Sequence, residues 1–375
     1  MKKILFVTGT RADYGKLKSL IKITQKSKKF KTYVFVTGMH MLSVYGSTFV
    51  ELQKDKIKNI IIHKNKKNHE NISLNLAEII KGFNFTRKKI KPDLVVVHGD
   101  RMEPMACALD SVLNNTRVAH IEGGEVSGSI DELIRHSISK ISQFHFVTNR
   151  SAKKRLIQMG EKKENICIIG SPDVDIILSK KKPSITEVKN KYNINFESYS
   201  IAILHPITTD MKNLKRNSKI FFDSLRESKK NYVIIFPNND SGSVIIMKQI
   251  KKLKNNKNFC IIPSMRFEYF LTLLKNSNFI IGNSSSGIME APYYGIKTIN
   301  VGNRQYNRFN NDSIVNIEFS KKDIIKNINN NTNFFKKTKK FGYGNSDKLF
   351  FKTIDSKRIW KNDVQKYFKD LNLVK

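Results

Sequence analysis

Ile4-Leu5-Phe6-Val7-Thr8-Gly9-Thr10-Arg11-Ala12-Asp13 changes character in the middle. Four apolar residues without polar alternation suit a strand covered on both faces of a parallel sheet. The Gly9-Thr10-Arg11 turn that follows supplies backbone N–H groups and a guanidinium suited to bidentate phosphate contact. The basic Lys2-Lys3 start precedes too short an apolar run for a secretory leader, so a first strand is expected there instead.

The same alternation of short apolar runs and amphipathic helical stretches continues along the chain, predicting an α/β protein built of β-α units. Strands are expected at residues 4–7, 33–36, 60–62, 94–97, 118–121, 144–147 and 166–169, enough for one doubly wound sheet. A charged stretch, Lys180-Lys181-Lys182-Pro183-Ser184, marks the boundary. A second series at 201–204, 233–236, 259–262, 279–281 and 298–301 predicts another such sheet. The expected division is therefore an N-terminal Rossmann-like domain over 1–180, a second over 181–352 and a closing C-terminal helix over 353–375, with 327–333 as a polar loop. Two facing sheets would form a cleft between the domains.

Composition excludes several classes. With 39% hydrophobic residues and no apolar run of membrane length, a transmembrane span is not expected. Cys107, Cys167 and Cys260 are far apart, which suits neither a disulfide framework nor a thiolate metal site and points to a reducing, cytoplasmic compartment. The formal charge of +36 invites a nucleic-acid reading. The excess is mostly Lys, scattered in runs at 64–67, 180–182, 251–254 and 336–340, and accompanied by much Asn, Ile and Phe. That is the signature of A/T-rich coding rather than of a binding patch, so no nucleic-acid partner is expected. A basic surface still steers anionic substrates inward.

Ligands of doubly wound sheets bind beyond the carboxyl ends of the strands. Those ends read Thr8-Gly9-Thr10-Arg11-Ala12-Asp13, Thr37-Gly38-Met39-His40, His98-Gly99-Asp100-Arg101, Glu122-Gly123-Gly124-Glu125, His205-Pro206-Ile207-Thr208-Thr209, Pro237-Asn238-Asn239-Asp240 and Gly282-Asn283-Ser284-Ser285-Ser286-Gly287. Turn formation explains the glycines and asparagines, but not a histidine or carboxylate at six of the seven. The serine run opening a helix reads as an anion site, with Glu290 in reach of a ribose hydroxyl. No Walker A and no Gly-x-Gly-x-x-Gly occurs, so neither ATP hydrolysis nor a nicotinamide cofactor is expected. His98-x-Asp100 and His120-x-Glu122 place paired side chains on one face of a strand end. Three readings stay open for them: acid/base groups, metal ligands completed by Glu125, Asp131, Glu132 or His136, and buried hydrogen-bond fillers.

These motifs resemble the hydrolysing UDP-N-acetylglucosamine 2-epimerases of sialic and legionaminic acid biosynthesis. The resemblance runs from about residue 3 to 310 and is most specific at Arg11-Ala-Asp-Tyr14, Val97-His-Gly-Asp-Arg101, His120 to His136, His205-Pro-Ile-Thr-Thr-Asp210 and Gly302-Asn-Arg-Gln305. It implies a glycosyltransferase-B-like pair of Rossmann domains with a UDP-sugar in the cleft, no organic cofactor, no metal, and a homodimer or higher homo-oligomer. It further implies Asp100, Glu122 and Asp131 as catalytic carboxylates, with His205 stabilising the leaving diphosphate. Candidate substrate-binding residues are Arg11, Ala12, His40, Arg101, Arg135, His136, Asn238, Asp240, Ser284, Ser285, Ser286, Glu290 and Arg304.

The chemistry implied is elimination of UDP across C1–C2 to a 2-acetamidoglucal, then hydration with inverted C2 configuration. A sugar C2 proton is a poor acid, so its removal needs a carboxylate on one face and diphosphate stabilisation on the other. Inversion needs a second proton-transfer group on the opposite face. The substrate is either UDP-N-acetylglucosamine or its 4-acetamido-6-deoxy analogue, UDP-N,N′-diacetylbacillosamine. A glycosyltransferase would use the same fold, and a basic RNA-binding protein the charge, although the interleaved aromatic and basic residues of the latter are missing.

Overall fold

The computed structural model describes residues 1–64, 71–330, 335–361, 363–367, 369 and 370. Strand β1 (Lys2–Thr8) is an interior strand of its sheet, with side chains buried on both faces: Ile4 and Phe6 in one apolar layer, Leu5 and Val7 in the other. A continuous apolar run rather than an alternating one is what such a position demands. Around it, β2 (Phe30–Val36), β3 (Ile60–Ile62), β4 (Leu94–His98), β5 (Arg117–Ile121), β6 (Phe144–Val147) and β7 (Ile166–Ile168) form an all-parallel sheet in the order β3-β2-β1-β4-β5-β6-β7. The order reverses at β1/β4.

A second parallel sheet has the order β10-β9-β8-β11-β12-β13, built from β8 (Ser200–Ile203), β9 (Tyr232–Ile235), β10 (Phe259–Ile262), β11 (Phe279–Gly282), β12 (Lys297–Val301) and β13 (Ile314–Ile317). Its switch point falls between β8 and β11. All twelve expected strands are present. The sequence reading missed β13, a four-residue edge strand with no fully buried residue, whose apolar signal is correspondingly thin.

By contacts, one unit comprises 1–125, 131–178 and 340–375, the other 126–130 and 179–339. The boundary after 178 lies close to the expected one, but the chain returns to the first unit at 340, inside the stretch expected to belong to the second domain. The expected closing helix over 353–375 is instead two helices, Ser346–Asp355 and Lys357–Lys361, and residues 371–375 lie outside the described residues. The first of them starts without a side-chain cap of its own. Asp175, from the helix Pro172–Ile177, accepts the N–H groups of Ser346 (2.9 Å) and Asp347 (3.1 Å). That tertiary cap satisfies donors that a helix start leaves open, and no local motif announces it. Phe350 then packs its ring 4.8 Å from that of Phe146 and 6.0 Å from that of Phe6.

Residues 327–329 of the expected polar loop are the last turn of the helix Lys321–Asn329, because Ile324 and Ile328 are buried in the second unit's core. Asn331, Thr332 and Asn333 of that loop lie outside the described residues, as do Lys66 and Lys67 of the first basic run. Among the described residues no helix is long and apolar enough to cross a membrane.

Candidate active site

The first unit's ionisable groups gather at its switch point. Thr10 caps the helix Arg11–Lys26 by accepting the Asp13 N–H at 3.0 Å, and Asp13 Oδ2 accepts the Gly9 N–H at 3.0 Å. These two bonds fix the Asp13 carboxylate beneath the turn and point Oδ1 at His98 Nδ1, 2.8 Å away. The other ring nitrogen of His98 lies 3.3 Å from Glu122 Oε2. The Ser171 hydroxyl donates to Glu122 Oε1, so the half-buried Asp13 and the buried His98, Glu122 and Ser171 form one linked chain. Close by, Lys16 Nζ pairs with Asp173 at 2.6 Å.

Electrostatics polarise that chain. Burial alone would discharge His98, but Glu122 and Asp13 on its two sides raise its pKa to about 9. Burial alone would likewise raise Glu122, and Lys16, His98 and the Ser171 hydroxyl overcome it, holding the carboxyl far below its ordinary range. Glu122 also occupies the left-handed backbone region, φ +64°, where its N–H is held by the Phe146 carbonyl at 2.9 Å. A non-glycine residue there costs roughly 1–3 kcal/mol and persists where the surroundings dictate it.

Asp100, two residues beyond β4, is bound by the guanidinium of Arg135, which is almost wholly buried and also donates to the Glu125 carbonyl at 3.3 Å. Glu125 accepts from the Thr148 hydroxyl and from Asn149 Nδ2 at 3.1 Å, so it braces the end of β6. Asp131 is half-buried in the first turn of the helix Ile130–Ile141. His136 lies one turn further, 3.6 Å from Glu132, its basicity lowered by burial. Arg11 Nη2 reaches Glu51 at 3.4 Å, Ala12 is exposed, and Arg101 Nε lies 3.4 Å from the buried Glu103.

Two further histidines are wholly buried, His40 beyond the end of β2 and His120 within β5. His40 is fully buried between the hydroxyls of Thr8 (3.1 Å) and Thr48 (2.8 Å), and burial lowers its pKa to about 4. His120 bridges Ser139 Oγ (2.9 Å) and the Gly99 carbonyl (2.8 Å), with its pKa lowered by burial to about 3. Of the three readings left open for the histidine pairs, the filler reading describes His120, whereas His98 carries charge between two carboxylates. Among the described residues no three His, Cys, Asp or Glu side chains converge as a metal site.

In the second unit the turns after β8, β9 and β11 are tied together. Asn283 Oδ1 accepts the His205 N–H at 2.7 Å, and its Nδ2 donates to the His205 carbonyl at 2.9 Å. His205 Nδ1 accepts the backbone N–H of Asn238 at 3.1 Å, which leaves the ring proton on Nε2 and makes that atom a donor. Gly282 permits the close approach: its φ is +129°, and a Cβ there would stand 2.6 Å from the Ile203 carbonyl carbon.

Ser284, Ser285 and Ser286 are half-buried, with Ser284 Oγ accepting the Ser286 N–H at 3.3 Å. The expected helix after them is two short ones, Ser286–Met289 and Ala291–Tyr294, with the buried Glu290 at the break before Pro292. Arg304 and Gln305 donate to the Asn283 carbonyl at 3.4 and 3.2 Å, and the Arg304 carbonyl accepts the Gly128 N–H at 3.0 Å. The Asp240 carbonyl accepts the Ser243 N–H at 3.0 Å.

The sequence reading missed Asp13, Lys16, Ser171, Asp173 and Asn283 as site residues. Gly170-Ser171-Pro172-Asp173 follows β7 as the other motifs follow their strands, so the same rule applied to that strand finds two of them. Asn283 is indistinguishable in sequence from a turn asparagine.

A family model described as UDP-N-acetylglucosamine 2-epimerase matches residues 22–355. A UDP-N-acetylglucosamine 2-epimerase of Neisseria meningitidis serogroup B is 41% identical over 378 residues, spanning the full length of both chains. The UDP-N,N′-diacetylbacillosamine 2-epimerase (hydrolyzing) of Legionella pneumophila is 32% identical, with 87% of each chain covered. Polysialic acid biosynthesis protein P7 of Escherichia coli is 33% identical, covering 88% of this chain and 86% of that one. Among solved structures, a Methanocaldococcus jannaschii UDP-GlcNAc 2-epimerase in complex with UDP-GlcNAc and UDP superposes with a TM-score of 0.79 at 21% identity, over 94% of this chain and 99% of that one. The two parallel-sheet α/β units are thus of the glycosyltransferase-B-like kind.

Proposed function

The chain belongs to the UDP-N-acetylglucosamine 2-epimerase family, and from that premise we propose that it is a hydrolysing enzyme, converting UDP-N-acetylglucosamine and water into N-acetylmannosamine and UDP. Relatives above 30% identity whose names specify hydrolysis, from Legionella pneumophila and Campylobacter jejuni, support the hydrolysing reading.

The observation that carries the reading is the placement of two carboxylates at neighbouring strand ends. Asp100 and Glu122 stand two and one residues beyond His98 and Ile121, the last register pair of β4 and β5. In the first step a carboxylate takes the C2 proton, the C2–H electron pair becomes the C1=C2 bond of 2-acetamidoglucal, and the C1–O pair leaves with UDP. In the second, C2 takes a proton on its opposite face and water oxygen bonds to C1, releasing its own proton. Asp100, Glu122 and Asp131 share the two proton transfers, and two separate groups are needed because the faces differ. In the second unit the Nε2–H of His205, with Asn238, Ser284, Ser285 and Arg304, stabilises the diphosphate as negative charge grows on it.

Incubation with UDP-N-acetylglucosamine in D₂O, followed by NMR, should yield free UDP and N-acetylmannosamine bearing deuterium at C2. Accumulation of a 2-epimer still attached to UDP would refute hydrolysis. The polysialic acid name of one relative favours the sialic acid branch, and the diacetylbacillosamine names favour the analogue. The same assay with UDP-N,N′-diacetylbacillosamine decides between them by relative kcat/KM.

A further inference from the structure

Glu122 is an unusual carboxylate for a proton-transfer site. It is 4% exposed, both its oxygens are engaged, and its backbone is held in the left-handed region. A lone carboxylate so buried would take up a proton to escape desolvation. The Lys16 ammonium, His98 and the Ser171 hydroxyl act the other way.

From the neighbouring elements, the groups facing it and His98 are Asp13 and Lys16 on the helix Arg11–Lys26, His120 on β5 and Ser171 beyond β7, with Asp173 paired to Lys16. Asp13 cannot relax away, because its second oxygen is committed to the Gly9 N–H at 3.0 Å. His98 is therefore anchored at 2.8 Å on one side and presents its other nitrogen to Glu122 at 3.3 Å on the other.

We infer that Asp13, His98 and Ser171 are positioning residues that keep Glu122 ionised and aimed, making Glu122 the group that accepts a proton in the reaction, and leaving proton delivery on the opposite sugar face to another carboxylate. This deepens the epimerase reading and rests on it. The arrangement suits the first step. An ionised carboxylate of low basicity suffices as base when the C1–O bond breaks concurrently, since the growing positive charge at C1 acidifies the C2–H. On accepting the proton, Glu122 becomes neutral beside His98, whose charge is then balanced by Asp13 alone. The electrostatic support is thus strongest for the ionised form, and the proton is readily released once the glucal has formed.

Two measurements test the inference. In the free wild-type protein, ¹⁵N-histidine labelling with long-range ¹H–¹⁵N correlation should show one ring, removed in His98→Gln, with both nitrogens protonated at pH 7.5, while the His40 and His120 rings are neutral. A neutral His98 ring at that pH overturns the relay.

In kinetics, His98→Gln should move the acidic limb of kcat/KM upward by at least one pH unit. Its deficit should be larger at pH 6 than at pH 8.5, and Ser171→Ala should move the limb the same way by less. Folded variants whose activity falls equally at every pH would show a merely structural role and refute the proposal. Should wild-type protein release UDP from neither UDP-sugar, the epimerase reading itself fails; the NMR titration of His98 still reports on the relay by itself.

Discussion

Asn283→Ala is expected to destabilise the second unit far more than one exposed-looking turn residue would suggest. Asn283 is fully buried, and its amide makes reciprocal bonds of 2.7 and 2.9 Å to the N–H and carbonyl of His205. Truncation leaves one buried backbone donor and one buried acceptor without partners, at about 1–3 kcal/mol each, so about 4 kcal/mol in total. Asn283→Asp makes the sharper test. It keeps the shape and can accept the His205 N–H, but it turns a lone pair toward the His205 carbonyl and buries a charge, so it should be at least as damaging as alanine. Urea unfolding followed by circular dichroism measures both variants, and native-state hydrogen exchange at the Asn238 amide, donated to His205 Nδ1 at 3.1 Å, reports whether the turn has loosened locally. A loss below about 1 kcal/mol for alanine, the net value of one ordinary hydrogen bond, or an aspartate variant as stable as wild type, would refute the reasoning.

Three further outcomes are expected. Phe350→Ala, which empties a fully buried site between Phe6 and Phe146, should cost about 3–5 kcal/mol and be read by the fluorescence of Trp360, the one tryptophan, on the neighbouring helix; an unshifted midpoint would mean that the closing segment contributes nothing to the first unit. His40 and His120 are neutral in the fold, with pKa values of about 4 and about 3, so below pH 6.5 only the unfolded chain binds their protons; stability should fall by roughly 5 kcal/mol between pH 6.5 and 4.5. His98 runs the other way, its contribution complete below pH 6.5 and lost as pH rises through about 9, so calorimetric Tm should peak near pH 6.5; a flat profile on the acid side would contradict the neutral histidines. Asp100→Asn should lower kcat by about 10²–10⁴-fold while UDP affinity by titration calorimetry stays within a few-fold; near-normal turnover would remove Asp100 from the chemistry.

The sequence by itself determined the sheet composition. Runs such as Ile4 to Val7 and Leu94 to Val97 are apolar on both faces because both faces are covered by helices, and that period is local information. It also marked turns as candidates for chemistry, since polar and ionisable residues directly after buried strands stand where such sheets bind ligands. What it could not determine is which member of a motif does what. His98 and His120 both stand in a His-x-carboxylate pattern, yet one side chain meets two carboxylates and is charged, while the other meets a hydroxyl and a carbonyl and is neutral. That difference depends on residues 85 and 24 positions from His98, and 19 and 21 from His120, brought together only by strand order. The same holds for the return of the chain at 340 and for the Asp175 cap on Ser346, 171 residues away. Period and turn chemistry act over a few residues; protonation state, capping across elements and the pairing of Asn283 with His205 are set by groups distant in sequence, and only the tertiary structure decides them.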